Sequence, residues 1–325
     1  MSLWESNRVL VTGGCGNIGS YLVEELISRG AEVVVADNLE SGSLKNIEDV
    51  REEIEFYNLD LRRYSNCLEV VADAEVVFNL AGRTHGVGYS DEHHGEMLYN
   101  NTVMQFNVLE AARVTEVERF MLTSSSCVYP DDAPVPTPEL PVGEGLPEQG
   151  NKGYGWSKRI AELQGQFYDA ETQVEVTICR PFNVYGDRYQ WRGEGASHVI
   201  PALVKRVMDD EDPLTVWGSG QQSRNFLHSL DVARYMIMLV ERNPGVEPIN
   251  IGFEEQTSIS ELVSVICDTC DRDPEIIFDT SMPEGAPKKG ASSNRLREIV
   301  PDYEPEIDLR DGIEEMKEWY EREFN

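Results

Sequence analysis

Residues 8–19 read RVLVTGGCGNIG: a β-rich run from Arg8 to Thr12 passes directly into Gly13, Gly16 and Gly19. An apolar-periodic segment follows, from Ile18 to Ser28, with Gly30 as its stop signal. Glycines at that spacing between a strand and a helix allow a tight turn, close approach of backbone to an anion, and close packing of helix on strand. The helix start turns its free amides toward that anion. A second β-rich run, Glu32 to Asp37, ends eighteen residues after Gly19 in a carboxylate that can hold the hydroxyls of an adenosine ribose. Together these features read as a dinucleotide cradle. Asp37 repels a ribose 2′-phosphate and Cys15 supplies no cation in its place, so NAD is expected rather than NADP.

Outward from this stretch, β-rich runs at Ile54 to Asp60, Glu75 to Ala81, Arg119 to Ser125 and Val174 to Pro181 alternate with helical patterns. The clearest of those patterns are Met97 to Arg113 and Tyr154 to Asp169. Such alternation predicts an α/β, Rossmann-type doubly wound parallel sheet. Residues 130–150, rich in Pro, Gly and acids, read as a loop over the carboxyl edge. Beyond Asn183 the pieces shorten: helices near 199–208, 230–241 and 259–269 and a strand at 214–217. We therefore expect residues 1–182, joined by about 226–250, to form the nucleotide-binding domain. Residues 183–225 and 251–325 then form a smaller, interleaved C-terminal α/β substrate domain.

The chain has 325 residues, 28 Lys+Arg against 59 Asp+Glu, and a formal charge of −31. A surface this acidic repels nucleic-acid phosphates and anionic lipid, so neither nucleic acid nor membrane is an expected partner. No apolar run is long enough for a membrane span, the opening residues do not resemble a signal peptide, and a cytoplasmic location is expected. Six scattered Cys suit a reducing compartment. The lone Cys267–Cys270 pair has neither a second pair nor a nearby His, so no metal site is expected. Only seven of the 28 basic residues are Lys, a pattern that suits a solvated acidic surface in strong salt and suggests a halophilic source.

Tyr154 and Lys158 lie four apart at the start of a helical pattern, hence on one face. An ammonium near a phenol lowers its pKa, and a positive nicotinamide ring adds to the effect, so Tyr154 could take an alcohol proton near neutrality. Upstream, Thr123-Ser124-Ser125-Ser126-Cys127 sets hydroxyls at the sheet's carboxyl edge.

These residues in this order resemble the extended short-chain dehydrogenase/reductase superfamily, in particular its NAD-dependent sugar-nucleotide epimerases and dehydratases. The resemblance covers nearly the whole chain. It implies cofactor contacts from Gly13, Gly16, Asn17, Ile18, Gly19, Asp37, Asn38, Asp60, Leu61, Leu80, Ala81, Gly82, Asn101, Tyr154 and Lys158. It also implies Ser125 beside Tyr154 in catalysis, and Asn183 and Arg224 on a substrate diphosphate, where a guanidinium matches phosphate oxygens. Ser125-Ser126-Cys127-Val128-Tyr129-Pro130 is similar to a segment of the GDP-mannose 3,5-epimerase and GDP-L-fucose synthase branches whose cysteine exchanges a proton beside a transient ketone. Residues 197–206 resemble the fucose-synthase segment that supplies a partner histidine and a substrate-binding arginine, here His198 and Arg206; Pro283 to Lys289 is also fucose-synthase-like. The runs 84–89 and 97–102 look more like the mannose epimerase. By the same likeness Gly86, Val199, Trp217 and Lys289 are substrate-binding, and the Trp191–Arg192 loop shapes the pocket. The dehydratase branch carries an Asp-Glu pair where this chain has Ser126-Cys127, so dehydration is not expected.

The resulting expectation is an NAD-dependent nucleotide-sugar epimerase, probed first with GDP-sugars, in which Tyr154, Lys158 and Ser125 oxidise the sugar transiently. Cys127 and His198 then act as carbon acid and base. A UDP-sugar 4-epimerase and a GDP-4-keto-6-deoxy-sugar epimerase/reductase remain the alternatives. Apolar faces on the helices of 97–113 and 154–169 are where this family pairs subunits, which implies a homodimer. If the acidic surface is built for strong salt, the melting temperature should rise steadily from about 0.1 M to 2 M KCl as self-repulsion is screened. A flat or falling salt profile in a thermal melt refutes that reading.

Overall fold

The computed structural model describes residues 3–189, 197–282 and 285–324, so the Trp191–Arg192 loop and Pro283 lie outside the described residues. In chain order the strands are β1 (Arg8–Thr12), β2 (Glu32–Asp37), β3 (Glu55–Asn58), β4 (Val76–Asn79), β5 (Arg119–Thr123), β6 (Glu175–Pro181), β7 (Val184–Tyr185), β8 (Leu214–Trp217), β9 (Ser223–Arg224), β10 (Leu227–His228), β11 (Ile249–Ile251), β12 (Thr257–Ser258), β13 (Ile276–Asp279) and β14 (Lys288–Lys289). The helices are α1 (Asn17–Ser28), α2 (Tyr64–Val71), α3 (Val87–Glu92), α4 (His94–Val114), α5 (Lys152–Glu171), α6 (Val199–Met208), α7 (Ser229–Arg242), α8 (Ile259–Thr269), α9 (Asn294–Ile299) and α10 (Leu309–Phe324).

Seven strands form one parallel sheet in the order β11-β6-β5-β4-β1-β2-β3. The chain winds one way from β1 to β3 and the other way from β4, so the crevice of a doubly wound sheet opens between β1 and β4. Period-two alternation gives the sheet two cores. Val9, Val11, Val33, Val35 and Phe78 face one side, with Leu22, Leu26, Val232 and Met236 of α1 and α7. Leu10, Val34, Val77, Phe120 and Leu122 face the other, with Val108, Leu109 and Ala161 of α4 and α5. Helix α1 ends as its glycine foretells: Gly30, at φ +86°, donates to the Ile27 carbonyl while Ala31 donates to Leu26. A third core joins α6, α8 and α10 to β8 through Leu203, Val207, Leu214, Ile266, Ile313 and Met316. No described helix is long and apolar enough to cross a membrane.

One buried ion pair locks α5 against the sheet. Arg180 of β6 meets Glu162 of α5 at 2.6 Å, with side chains 1% and 0% exposed. Arg180 also donates to the Tyr129 hydroxyl and the Leu140 carbonyl, both at 2.8 Å, drawing the 130–150 loop into the same network. Glu162→Ala leaves a guanidinium buried without its partner and should cost about 3–5 kcal/mol, whereas the double change to Glu162→Leu and Arg180→Met should recover most of it. Chemical denaturation of the three variants decides this; equal losses for single and double variants would contradict it.

Candidate active site

The cradle is built from backbone. Gly13 has φ +70°, and a Cβ there would sit 3.0 Å from the Ala81 nitrogen. At Gly19 a Cβ would lie 2.2 Å from the Gly13 carbonyl oxygen, so helix and turn touch directly. Gly16 differs: it has φ −82°, and an added Cβ would have only the Gly13 carbonyl oxygen, at 3.2 Å, within 4 Å. The space beyond Gly16 is therefore open, beside the first-turn amides of Asn17, Ile18 and Gly19, which lack intrahelical acceptors. Asn17 contributes its backbone; its side-chain oxygen lies against Gly186, where an added Cβ would be 2.8 Å away. Asp37, 7% exposed, accepts from the Cys15 amide at 3.0 Å and the Leu39 amide at 2.8 Å. Burial raises its carboxyl, and those two bonds oppose the rise. Asn38 follows, accepting from the Glu40 amide at 3.0 Å.

Across the crevice, Thr12 donates to Asn79 at 2.7 Å and accepts from the Ala81 amide at 3.1 Å, fixing the Leu80-Ala81-Gly82 edge. Asn101, expected at the cofactor, is tied to the backbone on both sides of the loop after β4. It is 0% exposed, its amide nitrogen donates to Met97 and Arg83 carbonyls, and its oxygen accepts from the Arg83 amide. It positions the loop after β4 from behind. Asp60, beside buried Leu61, is committed to Arg62 at 2.7 Å, so an adenine contact would share that carboxylate. The open space at Gly16, the turn amides and the Asp37 carboxylate suit a dinucleotide with an unphosphorylated ribose.

At the reacting end, three consecutive residues at the end of β5 and just after it each meet one residue of α5. Ser125 hydrogen-bonds Tyr154, the Thr123 carbonyl accepts from Lys158 Nζ at 2.7 Å, and Ser124 donates to Glu162. Lys158 Nζ lies 5.5 Å from the centre of the Tyr154 ring. The expected lowering of the phenol by Lys158 is not what the protein alone produces. Burial wins and raises Tyr154, Cys127 adds to the rise, and only the Ser125 hydrogen bond opposes it. Burial likewise pushes the Lys158 ammonium down to about 8.

Cys127 sits in the short turn capped by Ser125, whose hydroxyl accepts from the Cys127 amide at 3.2 Å. Burial pushes its thiol up to about 12; Lys289 opposes this and Glu148 reinforces it. Glu148 escaped the sequence reading, because nothing local marks one acid in an acidic loop. Its carboxylate binds Lys289 Nζ at 3.0 Å, accepts from Asn151 at 3.0 Å and accepts from the Cys127 thiol. Burial alone would raise the Glu148 carboxyl, but these partners bring it down to about 2.

Residues from beyond β7 bring their cations to this cluster. β14 pairs with β9 so that Lys289 stands opposite Arg224, and Arg224 acts electrostatically on Lys289. Asn183, at φ +38°, ties to the Asn225 carbonyl at 2.8 Å beside them. His198, an exposed residue, is the N-cap of α6 and lies edge-on to Tyr189 at 5.6 Å. Confinement first, then the charges of His85 and Lys289, hold that imidazole below its ordinary range. Val199 and Trp217 are exposed, at 37% and 44%, and Gly86 caps α3. Arg206 is drawn away: at the far end of α6 it closes on Glu211 at 2.7 Å, a pair any substrate contact must share.

One group of potential metal ligands occurs among the described residues: Asp187, His228 and Glu315. His228 Nδ1 accepts from the Leu230 amide at 3.3 Å, so the neutral ring carries its proton on Nε2, facing Glu315 at 3.3 Å. A protonated nitrogen offers no lone pair to a metal. Cys267 and Cys270 are free thiols.

The family model described as NAD dependent epimerase/dehydratase family matches residues 9–252. GDP-mannose 3,5-epimerase 1 of Oryza sativa subsp. indica is 30% identical over 98% of this chain and 83% of its own length. GDP-L-fucose synthase of Sinorhizobium fredii is 30% identical over 96% of this chain and 95% of its own. The crystal structure of UDP-glucose 4-epimerase from Thermotoga maritima with UDP-glucose superposes with a TM-score of 0.86 at 25% identity, covering 98% of this chain and all of that one. Gly16→Ala should leave the melting temperature nearly unchanged, because its Cβ meets only one carbonyl oxygen, yet weaken NAD binding at least about tenfold by filling the space a diphosphate needs. Calorimetric titration with NAD, read beside a thermal melt, checks both halves.

Proposed function

The chain belongs to the NAD dependent epimerase/dehydratase family, and we propose that within it this protein is an NAD-dependent epimerase of a nucleotide sugar, with a GDP-sugar as the substrate to try first. The observation that carries this reading is the convergence of Ser125, Tyr154, Lys158 and Cys127 on one edge of the crevice, with His198, Lys289 and Arg224 brought to it by the second domain. Gly13, Gly16, Gly19, the amides of α1 and Asp37 would hold the cofactor. When bound, NAD⁺ supplies reversible hydride acceptance from a sugar carbon and a positive ring charge.

The protein's own groups account for the proton movements. Tyr154 takes the proton of the sugar hydroxyl, with Ser125 hydrogen-bonded to the phenol. Lys158, fixed by the Thr123 carbonyl with its ammonium 5.5 Å from the centre of the phenol ring, does not lower the phenol unaided and acts together with the cofactor's ring charge. Oxidation at that carbon acidifies the neighbouring C–H bonds, and Cys127 and His198 remove and return a proton there. Arg224 and Lys289, side by side in register, suit a diphosphate. The apolar side chains left exposed on adjacent helices, Tyr99 and Phe106 of α4 with Leu163 and Phe167 of α5, support a homodimer built across that face.

A UDP-sugar 4-epimerase is the second reading, favoured by the structural match, and it needs no carbon acid or base. Incubation with NAD⁺ and GDP-mannose in deuterium oxide separates the two: proton exchange at carbon places label in the sugar ring, and simple 4-epimerisation does not. Tyr154→Phe should bind substrate normally yet lose at least about a hundredfold in turnover. Cys127→Ala should abolish ring labelling; labelling at the wild-type rate would remove the carbon-acid part of the scheme.

A further inference from the structure

Glu148 carries more of the site's chemistry than a loop acid would. Three separate elements hold it. Lys289 of β14 binds both of its oxygens, at 3.0 and 3.1 Å, and Asn151, just before α5, donates at 3.0 Å. Its own amide donates to the Cys127 carbonyl at 3.3 Å, so backbone as well as side chain ties it to the cysteine turn. The thiol of Cys127 is hydrogen-bonded to the carboxylate so fixed. Its side chain is 19% exposed and that of Lys289 17%, so the pair is only weakly reached by solvent.

A thiol next to a carboxylate can only donate, because the ionised carboxylate is an acceptor. The other groups facing Cys127 are Tyr154 and Lys158 from α5, Ser125 from its own turn and Lys289 from β14. Lys289 favours the thiolate, but its charge is answered by Glu148. His198, near Lys289 and His85, is in its neutral form at pH 7. We propose that Glu148 is the positioning residue that keeps Cys127 a protonated donor, so that Cys127 returns the proton to the sugar carbon and His198 is the group that removes it. In balance, the C–H proton passes to the imidazole, the carbanion delocalises onto the adjacent ketone oxygen, and the thiol proton forms the new C–H bond. Proton exchange of imidazolium and thiolate with solvent then resets both groups. This assignment of direction rests on the epimerase reading above.

The test has one arm that needs no substrate. Iodoacetamide alkylation of Cys127, followed by peptide mass mapping, should rise with pH up to at least about pH 10 in the wild type without reaching a plateau. In Glu148→Gln the thiol loses a negative neighbour and gains an unanswered ammonium, so alkylation at pH 8 should rise about threefold for each unit the thiol falls: tenfold more thiolate, offset by its weaker nucleophilicity. A wild-type plateau near pH 8, or equal rates in the two proteins, overturns the proposal; because burial also raises the thiol, Glu148→Asp, which keeps the charge, serves as the second variant and should alkylate at a rate between the two. In the second arm, GDP-mannose in deuterium oxide should still give a transient absorbance at 340 nm in both proteins. The alkaline limb of ring labelling should move down by at least about one pH unit in Glu148→Gln, with Glu148→Asp in between. No 340 nm transient and no labelling in the wild type would count against the epimerase reading, leaving the alkylation arm to judge Glu148 by itself.

Discussion

The site depends on one stripe of α5. Tyr154, Lys158 and Glu162 follow at intervals of four, so phenol, ammonium and carboxylate stand one above another along one face. Ser125, the Thr123 carbonyl and Ser124 answer them in turn from the end of β5. The lowest member is the anchor, because Glu162 is clamped by Arg180 where neither is solvated and a misplaced charge is expensive. A shift of α5 along its axis would break all three contacts together. The helix register is therefore fixed by the group farthest from the chemistry, and the phenol at the top inherits that precision.

This arrangement accounts for the buried state of Lys158. An ammonium that is 2% exposed is disfavoured by burial, and the lowering to about 8 reflects it. Glu162, one turn below, favours the charged form. Lys158 thus lies between an anion on one side and, on the other, a phenol that can become one. The expectation that Lys158 and the nicotinamide charge together bring Tyr154 toward neutrality comes from spacing along a helix, which reveals proximity and says nothing of desolvation. The phenol rises by burial, so lowering it depends on charge arriving with the cofactor.

The glycine turn, six of the seven sheet strands and the Tyr154–Lys158 pair were legible because their signals are local: a period of two, a period near 3.6, and glycine where a side chain would collide. What was not legible is long-range. Glu148 acquires its role from Lys289, far along the chain, and nothing within the loop's Pro-Gly-acid composition marks it. β11 is three residues long, and α10 holds its core with Ile313, Met316 and Tyr320 amid many acids, so neither stood out. Asn101 is a different case. Its place in the motif order suggests a contact, whereas the hydrogen bonds that hold it to Arg83 and Met97 could be read only from the folded chain.

The acidic surface and the cationic site pose a single electrostatic problem. A molecule at −31 repels any anionic ligand at long range, yet two of its seven lysines, Lys158 and Lys289, stand with Arg224 around the one cluster where an anion is wanted. Distance separates the two effects. Surface repulsion acts across many ångströms of solvent and fades as the Debye length shrinks from about 10 Å at 0.1 M to about 3 Å at 1 M. The site's cations act at contact, partly shielded from solvent, and are screened far less. Strong salt therefore removes the barrier to encounter while leaving the attraction at the end of the approach. On this argument salt would serve ligand capture as well as the stability of the fold.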